Sequence, residues 1–178
     1  MKKTLCRLDS IHSKLVATIT PIEDPLFARS PADKEWSIAE IVHHLCLVEE
    51  IVIKELEKEL ASPPRRIGFL RRFIPTSIVA FRLLRVKAPR GVNPLNPPAR
   101  AEVIANYDAA RSRLKDLCST HGKNRLKQVI FKHPFLGEID GTATISFLGY
   151  HELRHYKQIR EVIKKLGAVP ASIQNRER

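Results

Sequence analysis

Four stretches of this chain read as long helices, three of them with apolar residues on the 3.6-residue helical period, and each ends in a stop signal. The first places Leu5, Leu8, His12, Leu15 and Ile19 on one stripe over residues 3–20, where Pro21 ends it. A Pro-punctuated loop, TPIEDPLFARSPADKEW, follows. Ser37 opens the second helix with Glu40 three residues on, the pattern of a capping box. Its stripe runs Ile41, Leu45, Val48, Val52 and Leu56, and Pro63-Pro64 closes it. A third helix fits residues 99–118, with His121-Gly122 marking its end. The fourth fits residues 142–166, between the turn-forming Asp140-Gly141 and a C-cap at Gly167. Little strand signal intervenes. The pattern predicts an all-α chain, an antiparallel four-helix bundle. At 178 residues, one domain over 1–178 can bury a substantial core without staples.

The connection between the second and third helices is long and basic. The chain carries 31 Lys+Arg against 19 Asp+Glu, a formal charge of +12. Eight of those bases (Arg65, Arg66, Arg71, Arg72, Arg82, Arg85, Lys87 and Arg90) lie in residues 61–98, which contain no acid; the other 140 residues carry only +4. Within it, FLRRFIPTSIVAFRLLRV is apolar enough for one or two short helices, and KAPRGVNPLNPP reads as extended Pro-rich chain. Its 38 residues exceed a plain bundle loop, so it is either a functional, lid-like element or an excursion across the bundle end. Phe69, Leu70, Phe73, Ile74 and Phe81 interleave with arginine, which leaves a binding module for nucleic acid or an anionic membrane surface as one reading. No helix-turn-helix, zinc-finger or RNA-binding signature accompanies it.

Other classes fall away. No apolar run approaches the roughly 18 residues of a membrane span. Arg7 and Asp9 interrupt any signal-peptide core near the start. The three cysteines, Cys6, Cys46 and Cys118, are odd in number and lack C-x-x-C spacing. They fit a reducing cytoplasm, and argue against a disulfide scaffold or a cysteine-built zinc site.

Among seven histidines, three stand out by helical phase. His151 and His155, four apart, share a stripe with Leu148, Ile159 and Val162, the side that should face the core. On the second helix His44 shares a stripe with Ile41 and Val48, while His43 points about 100° away. Three inward histidines from two helices suggest a facial metal site. Neutral imidazole suits zinc, nickel, iron or copper, and three protein ligands leave a position open. The competing reading makes each histidine a core residue hydrogen-bonded to a neighbour. HELRH also matches the H-E-x-x-H pattern of zinc proteases. A zincin needs a further downstream ligand, and no histidine follows His155. Arg154 lies about 100° off the histidine stripe, as a structural or site-margin residue.

WSIAEIVHHLCLVEE resembles the W-[ST]-x-x-[EQ]-x-x-x-H-L signature of the DinB-like (DinB/YfiT-like metalloenzyme) superfamily. HPFLGEIDGTATISFLGYHELRHYKQI resembles that family's second signature, H-P-x-x-G followed by a helix bearing H-x-x-R-H-x-x-Q-I. The resemblance covers nearly the whole chain. It implies a four-helix bundle holding one divalent cation, zinc or nickel before iron or manganese, through His44, His151 and His155. It makes Glu152 a second-sphere or acid/base candidate, treats Trp36 and His133-Pro134 as framework, and places Gln158 on the motif glutamine without a role. The family includes transferases that use a low-molecular-weight thiol and metal-dependent hydrolases.

The expected function is therefore a metal-dependent enzyme that activates a low-molecular-weight thiol or water against a small, anionic substrate. Arg65, Arg66, Arg71 and Arg72 are candidate anion contacts, set against the plain reading of a solvated basic surface. The alternatives are the binding module on residues 61–98 and a bundle that keeps its metal for stability alone. An exposed apolar helix face leaves room for a homodimer.

Overall fold

The computed structural model describes residues 1–65, 90–133 and 136–167. Four long helices are present: α1 (Lys2–Ile19), α3 (Ile38–Ala61), α4 (Arg100–Leu126) and α5 (Gly141–Lys165), with a short α2 (Asp24–Ala28) between the first two. A 3-10 turn, Arg90–Val92, precedes α4, and a hairpin of β1 (Ile130–His133) and β2 (Gly137–Asp140) joins α4 to α5. Most of the basic connection, including Arg66, Arg71 and Arg72, lies outside the described residues. No helix among the described residues is long and apolar enough to cross a membrane.

Two elements depart from the pattern read in the sequence. The loop after α1 contains α2, started by Pro25 in its first turn, which buries Phe27. The strands pair antiparallel with Phe131 opposite Ile139 and His133 opposite Gly137. At four residues each they are too short to show a clear period of two. Helix α4 also extends past its expected end: Gly122 adopts φ +68° and breaks the helix, which then makes one further turn to Leu126.

The capping box forms as expected. Glu40 N–H donates to the Ser37 hydroxyl at 3.2 Å, and Ser37 N–H to the Glu40 carboxylate at 2.7 Å. Helix α5 is capped by Asp140, whose carboxylate accepts from Ala143 N–H at 2.8 Å. The next residue has to be glycine, because a β-carbon on Gly141 would lie 2.7 Å from the Leu126 carbonyl oxygen.

Side-chain contacts fix the helix directions. Along α3 and α4, Ile41 and Leu45 cluster with Val103 and Tyr107, Glu49 meets Arg111, and Arg125 donates to the Leu60 carbonyl at 2.7 Å. These two helices run parallel. Along α1 and α5, Arg7 covers the Tyr150 ring, His12 approaches Glu152, and Leu15 and Ile19 cluster with Ile159. They too run parallel. The α3/α4 pair is antiparallel to the α1/α5 pair, since His44 meets His151 while Trp36, earlier on the chain, meets His155.

Two apolar clusters fill the bundle. One contains Leu15, Ile41, Leu45, Tyr107 and Ile159, the other Leu8, Val52, Leu114 and Leu148. Between them every long helix contributes a polar side chain: His12, Glu49, Arg111 and Glu152, each buried. The Arg111 guanidinium is the hub. It donates to Glu49 twice, at 2.7 and 3.0 Å, to Glu152 at 3.1 Å and to the Leu8 carbonyl at 3.0 Å. Tyr107 donates to Glu152 at 2.5 Å, and His12 Nε2 bonds Asp108 at 2.6 Å. Burial pushes the Glu49 carboxyl up, and Arg111 pulls it back. Burial alone would lower the His12 pKa, but Glu152 and Asp108 hold it above its ordinary value.

Two outcomes follow from this layer. Arg111→Ala leaves Glu49 and Glu152 buried without their cation and should destabilise the fold by about 3–5 kcal/mol, read by urea denaturation. The raised His12 pKa adds stability that is complete below pH 6.5 and disappears as pH rises through the folded value. The stability difference between wild type and His12→Gln should therefore be larger near pH 6 than near about pH 8.5. Taking the difference cancels the lowered histidines elsewhere, whose contribution has the opposite sign.

Candidate metal centre

His44 on α3 and His151 and His155 on α5 converge in the seam between the two helices. One nitrogen from each ring lies within 4.8 Å of the others. His44 and His155 are buried and His151 half-buried. The capping box starts α3 seven residues before His44 and thereby sets the phase of its ring.

The ring orientations are fixed from behind. His44 Nδ1 lies 2.7 Å from the Val92 carbonyl oxygen. A carbonyl only accepts, so Nδ1 carries the proton and Nε2 presents a lone pair. His155 Nδ1 lies 2.9 Å from Gln158 Oε1, which fixes the same tautomer there. His44 Nε2 and His151 Nε2 stand 3.4 Å apart. A tetrahedral ion with bonds of about 2.0–2.1 Å separates two nitrogen ligands by about 3.3–3.4 Å, the spacing of the His44 and His151 nitrogens. Burial holds His44 below its ordinary pKa. Burial, then the neighbouring His155 and His44, hold His151 well below. Neutral imidazoles are the form that coordinates metal.

Aromatic rings wall the seam. The Trp36 ring centroid lies 5.0 Å from that of His44 and 6.4 Å from that of His155. Phe147 stacks on His151 at 5.4 Å, and His133 meets Phe147 edge-on at 4.4 Å. His133 Nδ1 accepts from Leu136 N–H at 3.1 Å, which ties the hairpin to this wall.

The other expected site residues are placed differently. Glu152 faces the polar layer, with its carboxylate on Tyr107 and Arg111. Arg65 is exposed and paired with Glu59, beyond the C-terminal end of α3. Ala61 lies 17 residues past His44, about 25 Å along the helix axis, so Arg65 is not brought to the histidines. Cys46 and Cys118 are buried, each thiol pushed up to about 11 by burial, with Glu50 and Glu49 adding to the effect at Cys46. Reading the sequence alone missed the Val92 carbonyl, the function of Gln158 and the contact of Trp36 with two of the rings.

A model of the DinB superfamily matches residues 7–159, a span that holds all three histidines, the whole of α3 and α5 as far as Ile159. The chain belongs to the DinB superfamily. Within it, the chain is 24% identical over 146 residues to YuaE, an uncharacterized protein of Bacillus subtilis strain 168, covering 82% of this chain and 88% of that one. Among solved structures it superposes on YfiT from Bacillus subtilis with a TM-score of 0.66, at 16% identity and over 94% of this chain and 88% of that one. YfiT is described as a probable metal-dependent hydrolase with an unusual four-helix bundle topology. TT2238, a four-helix bundle protein, matches with a TM-score of 0.60 at 19% identity, over 90% of this chain and 98% of that one. At these identities the two structures establish the four-helix bundle fold.

Trp36 is the only tryptophan in the chain, so it reports on this seam without labelling. One equivalent of Ni(II) or Co(II) should quench its fluorescence, and His151→Ala should abolish the quenching. Quenching of equal depth in His151→Ala would place the metal elsewhere.

Proposed function

We propose that this chain is a divalent-metal-dependent enzyme, with His44, His151 and His155 as the metal ligands and a hydrolytic reaction as the best-supported chemistry. The observation that carries this reading is the convergence of three imidazoles, two of them held in the ligating tautomer by Val92 and Gln158. Its likeness to YfiT, described as a probable metal-dependent hydrolase, supports water as the nucleophile. Zinc or nickel suits an all-imidazole set better than magnesium or calcium.

A bound cation would supply Lewis acidity and lower the pKa of a water or thiol at its open position. The residues of this chain do the rest. Val92 and Gln158 hold two rings in place, while Trp36 and Phe147 give the seam an apolar wall that limits access of bulk water. Glu152 holds α5 in register from the polar layer; its carboxylate oxygens bond Tyr107 and Arg111. Transfer of a low-molecular-weight thiol is the second reading. Cys46 and Cys118 cannot serve as its nucleophile, because thiols pushed up to about 11 stay protonated near neutral pH. In this reading the nucleophile is a low-molecular-weight thiol taken from solution.

Protein purified without added metal should contain close to one transition-metal ion per chain. A panel of esters and amides, run beside a panel of electrophiles with added thiols, separates hydrolysis from thiol transfer. Chelation or His44→Ala should reduce the active reaction by more than about a hundredfold, beyond the range of second-sphere changes. Full activity in His44→Ala would sink the mechanism.

A further inference from the structure

Outside residues 61–98 the chain carries only +4, but that charge is unevenly shared among the helices. Helices α1 and α5 together hold nine Lys+Arg against three Asp+Glu, whereas α3 holds two against six. The two basic helices run side by side, and Arg7 lies 4.2 Å above the Tyr150 ring. A groove of about 190 Å³ opens between them, lined by Lys3, Thr4, Arg7, Ser146 and Gly149. Lys3 is level with Ser146 and Arg7 with Tyr150, a constant offset that also brings Lys14 level with Lys157. By helical phase Lys3, Arg7 and Lys14 lie within about 40° of one another on α1, and Ser146, Lys157 and Lys164 within about 20° on α5. From Lys3 to the level of Lys164 the row is about 27 Å long at 1.5 Å per residue. The acids of both helices are turned away. Asp9 is held by Lys115 of α4 at 2.9 Å, and Glu152 lies in the polar layer. Glu161 stands about 120° round α5 from Gly149, the residue that packs against Leu8 of α1. Lys3, Lys14, Lys157 and Lys164 are exposed and have no ion-pair partner among the described residues.

We infer that the outer groove between α1 and α5 is a docking surface for the phosphate backbone of duplex nucleic acid, held by Lys3, Arg7, Lys14, Lys157 and Lys164 without sequence preference. The row itself selects this partner. Five cations spread over about 27 Å fit a polyanion, because each strand of a duplex presents a phosphate every 3.4 Å or so along its axis. A single small anion engages only one or two of them. Single strands bind by stacking bases on open aromatic rings, and the Tyr150 ring in this groove is covered by Arg7. A membrane surface is disfavoured, because the exposed large apolar side chains among the described residues are Ile51 and Leu95, neither on α1 nor on α5. Two helices lying side by side present their cations as a broad ridge, which meets phosphates rather than base edges. The surface is separate from residues 61–98. It is also separate from the histidine seam, since His151 lies about 140° round α5 from Ser146. The inference therefore stands independently of the metal centre.

The test titrates the whole chain against a fluorescent DNA duplex of mixed sequence over a range of KCl, with a chelator present so that the histidine seam takes no part. Contact with five phosphates predicts a slope of about −4.5 for log K against log[salt], a loss of roughly 500-fold between about 50 and 200 mM. Lys14→Gln and Lys157→Gln should each reduce the steepness by about one and weaken unrelated sequences alike. Replacing Lys3, Arg7, Lys14, Lys157 and Lys164 together by Gln should remove the salt-dependent binding while the urea midpoint stays near that of wild type. Replacing Arg66, Arg71 and Arg72 by Gln should leave the slope unchanged. A wild-type slope in the five-residue variant, or in both single variants, would overturn the inference. So would loss of the slope in the Arg66, Arg71 and Arg72 variant, which would move the contact to the connection. Failure of wild type to bind the duplex at about 50 mM salt would also overturn it. Tighter binding to phosphatidylserine vesicles than to the duplex would do the same, and would make this face a membrane surface.

Discussion

The Arg111 guanidinium sets the geometry on which the rest of the bundle depends. It is 4% exposed, and its donors reach Glu49 on α3, Glu152 on α5 and the Leu8 carbonyl on α1. Apolar packing alone is non-directional and tolerates sliding of one helix past another by a turn. A buried guanidinium with fixed partners does not tolerate it, since any slip leaves a desolvated charge unpaired. The layer specifies register where the two apolar clusters supply most of the burial. Replacing it by well-packed apolar residues need not weaken the fold, but would remove that directional constraint.

That register is what brings the histidines together. His151 and His155 flank Glu152 on α5, and His44 lies five residues before Glu49 on α3. When Glu49 and Glu152 are both held by Arg111, the intervening turns of α3 and α5 face each other at one height. His44 Nε2 and His151 Nε2 then stand 3.4 Å apart. The polar layer and the three-histidine cluster at the same level of the bundle are thus one arrangement seen on two faces of α5.

Helical phase made much of this legible in the sequence. The stripes read along the second and last helices also put His44, His151 and His155 on inward faces, while Glu49 and Arg111 interrupt the buried apolar faces of α3 and α4. Those two charged residues could have been read as partners, being the groups that burial forbids unless paired. Val92 could not have been found, because a backbone carbonyl carries no side-chain signature. Gln158 sits three residues after His155, a spacing compatible with contact on any helix, and only the rotamers decide whether it occurs. The hairpin was hidden by its length and by His133-Pro134, which reads as a turn. Helix α2 was masked by the prolines around it.

The long connection finds its reason in helix direction. A bundle that alternates up and down needs only short turns between neighbours. Here α3 and α4 run parallel, so the chain leaving Ala61 has to return along the length of α3, about 36 Å for its 24 residues, before α4 begins. The connection ends beside the N-terminal half of α3, the half that carries His44. The 3-10 turn Arg90–Val92 lies against the ring it orients, and the Val92 carbonyl accepts the hydrogen bond from Nδ1–H. The parallel pairing that demands a long crossover therefore also supplies the backbone oxygen that turns the His44 Nε2 lone pair into the seam. A shorter connection would force α4 to run the other way, and no segment entering α4 would then end at the histidine seam.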